Sequence, residues 1–457
     1  MSRPAFPDIH WSGAQSGKNS GPRILGINPW ITDFAAFNVW SRPVGLLACL
    51  DMMRNAGASV TLMDCLDPTW DGVKWPAPRK YGTGPYPKEE LKLPEQLSFM
   101  DRKYSRYGLP RDMVREALSA ITPAPDAIMV TSIMTYWYPG ALDILDIAAE
   151  LWPAVPRILG GSYATLCTDH ARTHAKADLI MQGSMETESN WGAVWNLLGQ
   201  PVPDLPDNAG LGLALDLYAE PTYSPILGSR GCPFTCDYCA SYALYPGFTQ
   251  GTPNTIMASI QSEYERGVRD FAFYDDALLV NPDRWLWPVL DSIVDNGLDL
   301  RLHTPNAMHI RRLSSHVCQS LKQAGLTTVR LGLETTDFDN RHDVKLTRKE
   351  WEGGAKCLID AGFDLDDIGV YILFGLPGQD LSNVEEAVNH VREFGFRPHL
   401  AHYTPIPGSP MFEQACEASP YPLAEEPLFQ NNSIWPCVPG GFDWDEAKRW
   451  KMLLQGK

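Results

Sequence analysis

Three cysteines, Cys232, Cys236 and Cys239, stand at C-x3-C-x2-C spacing in a 457-residue chain that contains ten cysteines in all. Thiolates gathered this tightly suit a metal centre. A zinc site favours two C-x2-C pairs or an added histidine pair; no second pair occurs, and the nearest downstream histidine is His303. A [4Fe–4S] cluster normally takes four thiolates, so three leave one iron open to another ligand. Gly231, just before the first cysteine, suits a sharp backbone turn. The other cysteines (Cys49, Cys65, Cys167, Cys318, Cys357, Cys416 and Cys437) are scattered. They read as small core residues of a reduced, cytoplasmic protein rather than as a disulfide scaffold.

The elements that would position this loop follow a regular pattern. From Pro225 onward six strand-helix units are legible, with strands near 225–228, 270–274, 299–304, 328–333, 368–374 and 399–404. Six units fall short of the eight that close a TIM barrel, and chemistry in such barrels gathers at the carboxyl ends of the strands. The first strand leads into the cysteine loop. The second ends Tyr274-Asp275-Asp276-Ala277, whose carboxylates can receive an ammonium group or cap the turn before Asn281-Pro282, or divide the two roles. Beyond the third, Asn306 suits a polar contact or a turn, and His303 a proton-transfer or a structural role. The fourth closes on Glu334, a carboxylate that should not be buried unpaired and so points into the cleft. The fifth runs into Gly375-Leu376-Pro377-Gly378, where glycines let the backbone approach a flat ring. The sixth ends Tyr403-Thr404-Pro405-Ile406-Pro407-Gly408.

The first half also alternates. It reads as strand 23–28, helix 44–55 and strand 59–64, then strand 127–131, helix 139–151 and strand 157–160, then a helix from about Tyr163, strand 178–181 and helix 186–198. This predicts an α/β fold with a doubly wound parallel sheet, whose ligands sit beyond the strand carboxyl ends. Those ends carry Asn28-Pro29, Thr131-Ser132, Gly160-Gly161-Ser162 and Gln182-Gly183-Ser184. The expected organisation is a flexible start (1–20), a Rossmann-like domain (21–200) with a Tyr- and Trp-rich insertion (66–110, holding Tyr81, Tyr86, Tyr104 and Tyr107), and a linker (201–222). A partial (β/α)6 barrel (223–415) and a tail (416–457) follow, with Trp435, Trp444 and Trp450 available for packing or for lining a cleft.

The cysteine spacing with Tyr238 before the third cysteine, and the motifs at Asp275-Asp276, Glu334 and Gly375–Gly378, resemble the radical S-adenosylmethionine (SAM) superfamily across the second half. In the first half, "GINPW", "RPVGLLACLDMMRNAGASVTLMDC", "ILGGSYA" and "MQGSMETE" resemble the cobalamin-binding-like domain that precedes the core in one branch of that superfamily. The resemblance implies a [4Fe–4S] cluster on Cys232, Cys236 and Cys239 that chelates SAM at its open iron and cleaves it reductively to a 5′-deoxyadenosyl radical. It further implies Asp275 or Asp276 on the SAM amino group, Glu334 on the ribose and Gly375 with Gly378 on the adenine. Tyr238 and Asn306 become further cofactor contacts, and Gly160 with Gly161 corrinoid contacts. Lys345 and Arg348 could face the SAM carboxylate or lie on a solvated surface.

Two departures bear on cobalamin: the Asp-x-His-x-x-Gly motif that gives cobalt an axial histidine is absent, and Ser184 stands where relatives often have Glu. The first half therefore either binds cobalamin or only shapes a cleft. Cluster potentials span roughly −700 to +450 mV and sulfonium cleavage needs the low end, which implies an external donor of flavodoxin or ferredoxin type. The leading reaction is cobalamin-dependent methylation of an unactivated carbon of a small molecule. The alternatives are a cobalamin-independent radical rearrangement or ring formation, and a corrinoid- or SAM-binding module without catalysis.

A net charge of −17 argues against a nucleic-acid partner, which needs phosphate-neutralising Lys and Arg. No run approaches the ~18 apolar residues of a membrane span, and the Pro/Gly-rich start is unlike a signal peptide.

Overall fold

Apolar runs such as Ile24-Leu25-Gly26-Ile27, read as strands covered on both faces, form the centre of the computed structural model, which describes residues 11–12, 21–207, 210–343 and 346–456. Apart from Trp11 and Ser12, the expected flexible start lies outside the described residues, as do Lys345 and residues 208–209 of the linker. The chain divides into two units, one built on the residues up to Pro221 with Glu425–Leu428, the other on Thr222–Ala424 with the residues from Phe429 on.

Among the strands of the first unit are β1 (Arg23–Asn28), β2 (Ile31–Asp33), β3 (Ser59–Asp64), β4 (Lys88–Leu91), β5 (Tyr104–Tyr107), β6 (Ala127–Ser132), β7 (Arg157–Gly161) and β8 (Leu179–Ile180). Five of them pair in parallel in the order β8-β7-β6-β1-β3. This doubly wound order reverses between β1 and β6, where such sheets bind ligands beyond the strand ends. Helix Val44–Asn55 lies close over the sheet: a Cβ on Gly26 would fall 2.6 Å from Leu50 Cδ1. The single helix expected from Tyr163 is instead two short ones, Ser162–Leu166 and Thr168–His174. The insertion, which shows little periodicity, is ordered as an antiparallel sheet β2-β5-β4. There the Tyr104 and Tyr107 hydroxyls donate to the carbonyls of Thr32 and Phe34, at 3.1 and 3.0 Å.

The second unit contributes β9 (Ser224–Ile226), β10 (Ser229–Arg230), β11 (Thr249–Gln250), β12 (Asp270–Phe273), β13 (Arg301–His303), β14 (Leu326–Glu334), β15 (Ile368–Phe374) and β16 (Arg397–His402). Six pair in parallel in chain order, β9-β12-β13-β14-β15-β16. The six-unit partial barrel expected from the sequence is this sheet. Its core is apolar, with Trp285, Trp351, Ile368 and Val370 fully buried. The tail completes it: the rings of Trp435 and Trp450 lie 5.0 and 5.2 Å from that of Phe374, while Trp444 is half exposed. His303 is a structural residue of the sheet, buried between Thr328 Oγ1 and Asp270 Oδ1 at 2.9 Å each. Burial alone would raise the Asp270 carboxyl, but its hydrogen bonds with His303 and Arg301 outweigh this and hold it low. Among the described residues no helix is long and apolar enough to cross a membrane.

Candidate active site

The cysteine loop is anchored on both sides. Ahead of it, β10 pairs antiparallel with β11, Ser229 facing Gln250. Gly228 lies on the buried Trp285 indole, where a Cβ would sit 2.2 Å from the ring. Gly231 turns the chain at φ 80°, so close to the neighbouring backbone that a Cβ would fall 2.0 Å from the Gly247 carbonyl oxygen; only glycine suits both conditions. On the far side, the Asp237 N–H donates to the His342 carbonyl (3.2 Å), and the Asp237 carbonyl accepts from Met411 N–H (2.9 Å). Between these anchors Cys236 is buried and Cys232 and Cys239 are half-buried. The Cys239 sulfur meets Ser241 Oγ at 3.2 Å and the Ser241 N–H at 3.5 Å, donors that stabilise a thiolate.

All three cysteines open on one cavity of about 420 Å³, which Tyr238, Asp276, Asn306, Arg311, Glu334 and Tyr371 also line. A second cavity of about 260 Å³ shares Tyr238, Glu334 and Asp343 with the first and continues along Leu376, Pro377 and Gly378 at the end of β15. Three thiols on one cavity wall, with amide and hydroxyl donors at one of them, are a donor set that fits a three-thiolate iron–sulfur cluster. Among the described residues no three His, Cys, Asp or Glu side chains converge on a point as ligands of one ion.

The two adjacent aspartates part company. Asp276 is exposed on the cavity wall, whereas Asp275 is buried behind it. There its carboxyl accepts from Ser229 Oγ (2.5 Å) and Gly228 N–H (3.3 Å), tying the end of β12 to the base of the cysteine loop. Burial lifts the Asp275 pKa to about 7, against the hydrogen bonds that lower it. A carboxyl raised in this way contributes stability that is complete below its unfolded value, about 3.9, and is lost as pH rises through the folded value. Between pH 5 and 8 the wild-type apoprotein should therefore lose on the order of 3 kcal/mol relative to Asp275→Asn. Denaturant midpoints at the two pH values measure this; a constant difference would refute it.

Asn306 lines the cavity and donates from Nδ2 to the Tyr274 carbonyl at 3.0 Å, joining the second and third strand ends. Glu334 sits where the β14–β15 register slips, with φ 65°, a left-handed conformation that costs a residue bearing a Cβ about 1–2 kcal/mol. Its carboxylate folds back over Gly332, where a Cβ would lie 2.5 Å from Glu334 Oε1. Gly378 lines the second cavity; Gly375, at φ 84°, does not, and its N–H donates to Gln379 Oε1 at 2.7 Å. Burial, first, and then the nearby Glu334 carboxylate push the Tyr238 phenol far up, so it stays a neutral donor. Arg348 lies over the Phe338 ring at 4.9 Å and lines neither cavity.

Sequence reasoning missed three charged residues here. Arg311 lines the larger cavity, its guanidinium 5.0 Å from the centre of the Phe234 ring. Arg341 and Asp343 form a buried ion pair at 2.7 Å behind Glu334. The available signal was an Arg-x-Asp triplet soon after a carboxylate-ended strand.

In the first unit, Gly161 turns at φ 88°, and a Cβ there would meet Ser132 O at 2.6 Å, drawing the ends of β6 and β7 together. A Cβ on Gly160 or Gly183 would meet no atom within 4 Å, so both strand ends are uncovered there. Asn28 is engaged, donating to Asp64 Oδ1 at 2.7 Å.

Residues 226–391 match the radical SAM superfamily. The chain is 21% identical over 358 residues to an uncharacterized methyltransferase of Pyrococcus horikoshii, covering 67% of this chain and 73% of that one. It is 22% identical over 344 residues to the anaerobic magnesium-protoporphyrin IX monomethyl ester cyclase of Cereibacter sphaeroides, covering 64% of this chain and about half, 53%, of the cyclase. Among solved structures, the radical SAM methyltransferase TsrM of Kitasatospora setae, with tryptophan and a SAM analogue bound, matches with a TM-score of 0.62 at 15% identity. That match covers 87% of this chain and 77% of TsrM. A second TsrM structure, holding cobalamin and a [4Fe–4S] cluster, matches with a TM-score of 0.60 at 15% identity, covering 88% of this chain and 79% of that one.

Proposed function

We propose that the chain is a radical SAM enzyme that methylates an unactivated carbon of a small molecule with SAM and cobalamin: residues 226–391 match the radical SAM superfamily, and the first unit is a doubly wound sheet in a fold shared with the cobalamin-holding TsrM structure. The observation that carries this is the opening of Cys232, Cys236 and Cys239 on one cavity with Asp276, Asn306 and Glu334. When bound, the cluster supplies a low-potential electron and an open iron for SAM, and cobalamin supplies a carrier for the methyl group.

The chain's own residues bind and orient. The three cysteines hold the cluster, with Ser241 supporting Cys239. Asp276 receives the SAM ammonium, while Asp275 fixes the loop behind it. The Glu334 carboxylate accepts from the ribose hydroxyls, Arg311 faces the carboxylate, and the Leu376–Gly378 backbone walls the adenine end. Tyr238, kept protonated, holds its side of the loop, and Asn306 keeps the second and third strand ends together. Gly160 leaves the end of β7 bare towards a corrinoid, while Gly161 draws β6 and β7 together beneath it. An external donor of flavodoxin or ferredoxin type in a reducing cytoplasm supplies the electron.

The second reading is a cobalamin-independent radical rearrangement or ring formation; ring formation is the reaction that the name of the Cereibacter sphaeroides relative carries. Anaerobic reconstitution with hydroxocobalamin separates the two. We expect about four irons and one corrinoid per chain, and SAM turnover to 5′-deoxyadenosine or S-adenosylhomocysteine under dithionite. Four irons without retained corrinoid would leave the ring-forming reading, and corrinoid without SAM turnover would leave a binding module.

A further inference from the structure

Glu334 is held in its left-handed conformation from behind. Arg341 donates from Nη2 to the Leu333 carbonyl (2.8 Å) and from Nη1 to the Thr335 carbonyl (2.9 Å), gripping the residues on either side of Glu334. Its Nε donates to Asp343 Oδ1 at 2.7 Å, and the two side chains are 4% and 3% exposed. The second Asp343 oxygen accepts from the Tyr238 hydroxyl at 3.4 Å, and the intervening His342 carbonyl accepts the N–H of Asp237. One planar guanidinium thus uses three donors in three directions, which a lysine ammonium on a flexible stem does not reproduce. Both ends of this chain of contacts reach the larger cavity, at Glu334 and at Tyr238 between the second and third cysteines.

We propose that the Arg341–Asp343 pair is a positioning device that sets the direction of the Glu334 carboxylate and registers it, through Tyr238, with the cysteine loop. Arg341 borders the second cavity and not the larger one that holds the three cysteines; with three of its donors spent on Leu333, Thr335 and Asp343, it acts through Glu334. The inference rests on the reading of Glu334 as a SAM contact.

The test is a double-mutant cycle on the anaerobically reconstituted full chain. It reads SAM affinity by equilibrium dialysis, iron per chain, and the SAM-induced change in the electron paramagnetic resonance of the reduced cluster. We expect Glu334→Gln and Arg341→Gln each to weaken SAM binding about tenfold or more with wild-type iron content, as orienting partners of metal-site ligands do when altered. We expect Arg341→Gln to add less than about twofold once Glu334 is already Gln, and Arg341→Lys to give no rescue. Independent losses that multiply, or an Arg341→Gln protein that binds SAM like wild type while Glu334→Gln does not, would overturn the proposal. Unchanged affinity in Glu334→Gln would overturn it together with the ribose reading, while wild-type iron would leave the cluster assignment standing. If Arg341→Gln fails to assemble the cluster, Asp343→Asn, which keeps the side-chain shape, replaces it in the cycle with the same opposed outcomes.

Discussion

Replacing Cys236 with alanine should abolish the iron–sulfur absorbance of the reconstituted protein and reduce SAM turnover to background, with the fold retained. Cys236 is the central ligand of the set and, at 3% exposure, the most enclosed. Two remaining thiolates would leave two irons without protein ligands. Altering residues that merely orient a ligand costs roughly 10–100-fold in metal affinity, and losing the ligand exceeds that. Removing one small sulfur from a partly polar loop leaves the large apolar core of the second unit untouched, so circular dichroism should be unchanged. Iron content, absorbance near 400 nm and product release under dithionite measure the outcome. Turnover at the wild-type rate would rule out the ligand assignment.

The second large effect is expected at Gly231. Alanine there meets the left-handed penalty of about 1–2 kcal/mol and places a methyl 2.0 Å from the Gly247 carbonyl oxygen and 2.8 Å from a Tyr245 ring carbon. One of the two backbones has to move, and any shift at Gly231 is passed directly to Cys232, the next residue. We expect iron content to fall below about half, and the melting temperature to drop by roughly 5–10 °C, given 2–4 °C per kcal/mol for a unit of this size. Gly267→Ala is the control: it shares the positive φ, 98°, but its Cβ would meet nothing within 4 Å. It should lower the melting temperature slightly and leave iron at the wild-type level. Equal iron in both variants would show that the close approach at Gly231 does not matter.

What could be read from the chain follows the range of the forces involved. Ile24–Ile27 and Ile368–Phe374 declare themselves because strands buried on both faces are continuously apolar, and helix Val44–Asn55 was legible to the residue. The insertion was opaque because its order comes from pairing Tyr104–Tyr107 with Lys88–Leu91 on one side and Ile31–Asp33 on the other. Such cross-strand partners leave no local period. At the site, the cysteine spacing and the carboxylate closing β14 were visible as types in a pattern. A division of roles between Asp275 and Asp276 was among the readings, but which takes which was not legible: neighbours in sequence, they differ only in that one faces Ser229 and the other the cavity. Arg341 and Asp343 were hidden because charges in a loop read as solvated, and only packing brings them under Glu334.

The six parallel strands of the second unit follow one another in space as they do along the chain, and this orders events in time. Cys239 is synthesised about a hundred residues ahead of Asp343. At roughly 5–20 residues per second, the thiols wait some 5–20 s for β14 and the Arg341–Asp343 pair behind it. A cluster delivered before that strand docks would meet a loop held at its base by Asp275 but not yet by His342 and Asp343. The last of the loop's anchors, Met411 on the Asp237 carbonyl, follows the sixth strand, so the loop reaches its full set of contacts only when the whole sheet has been made.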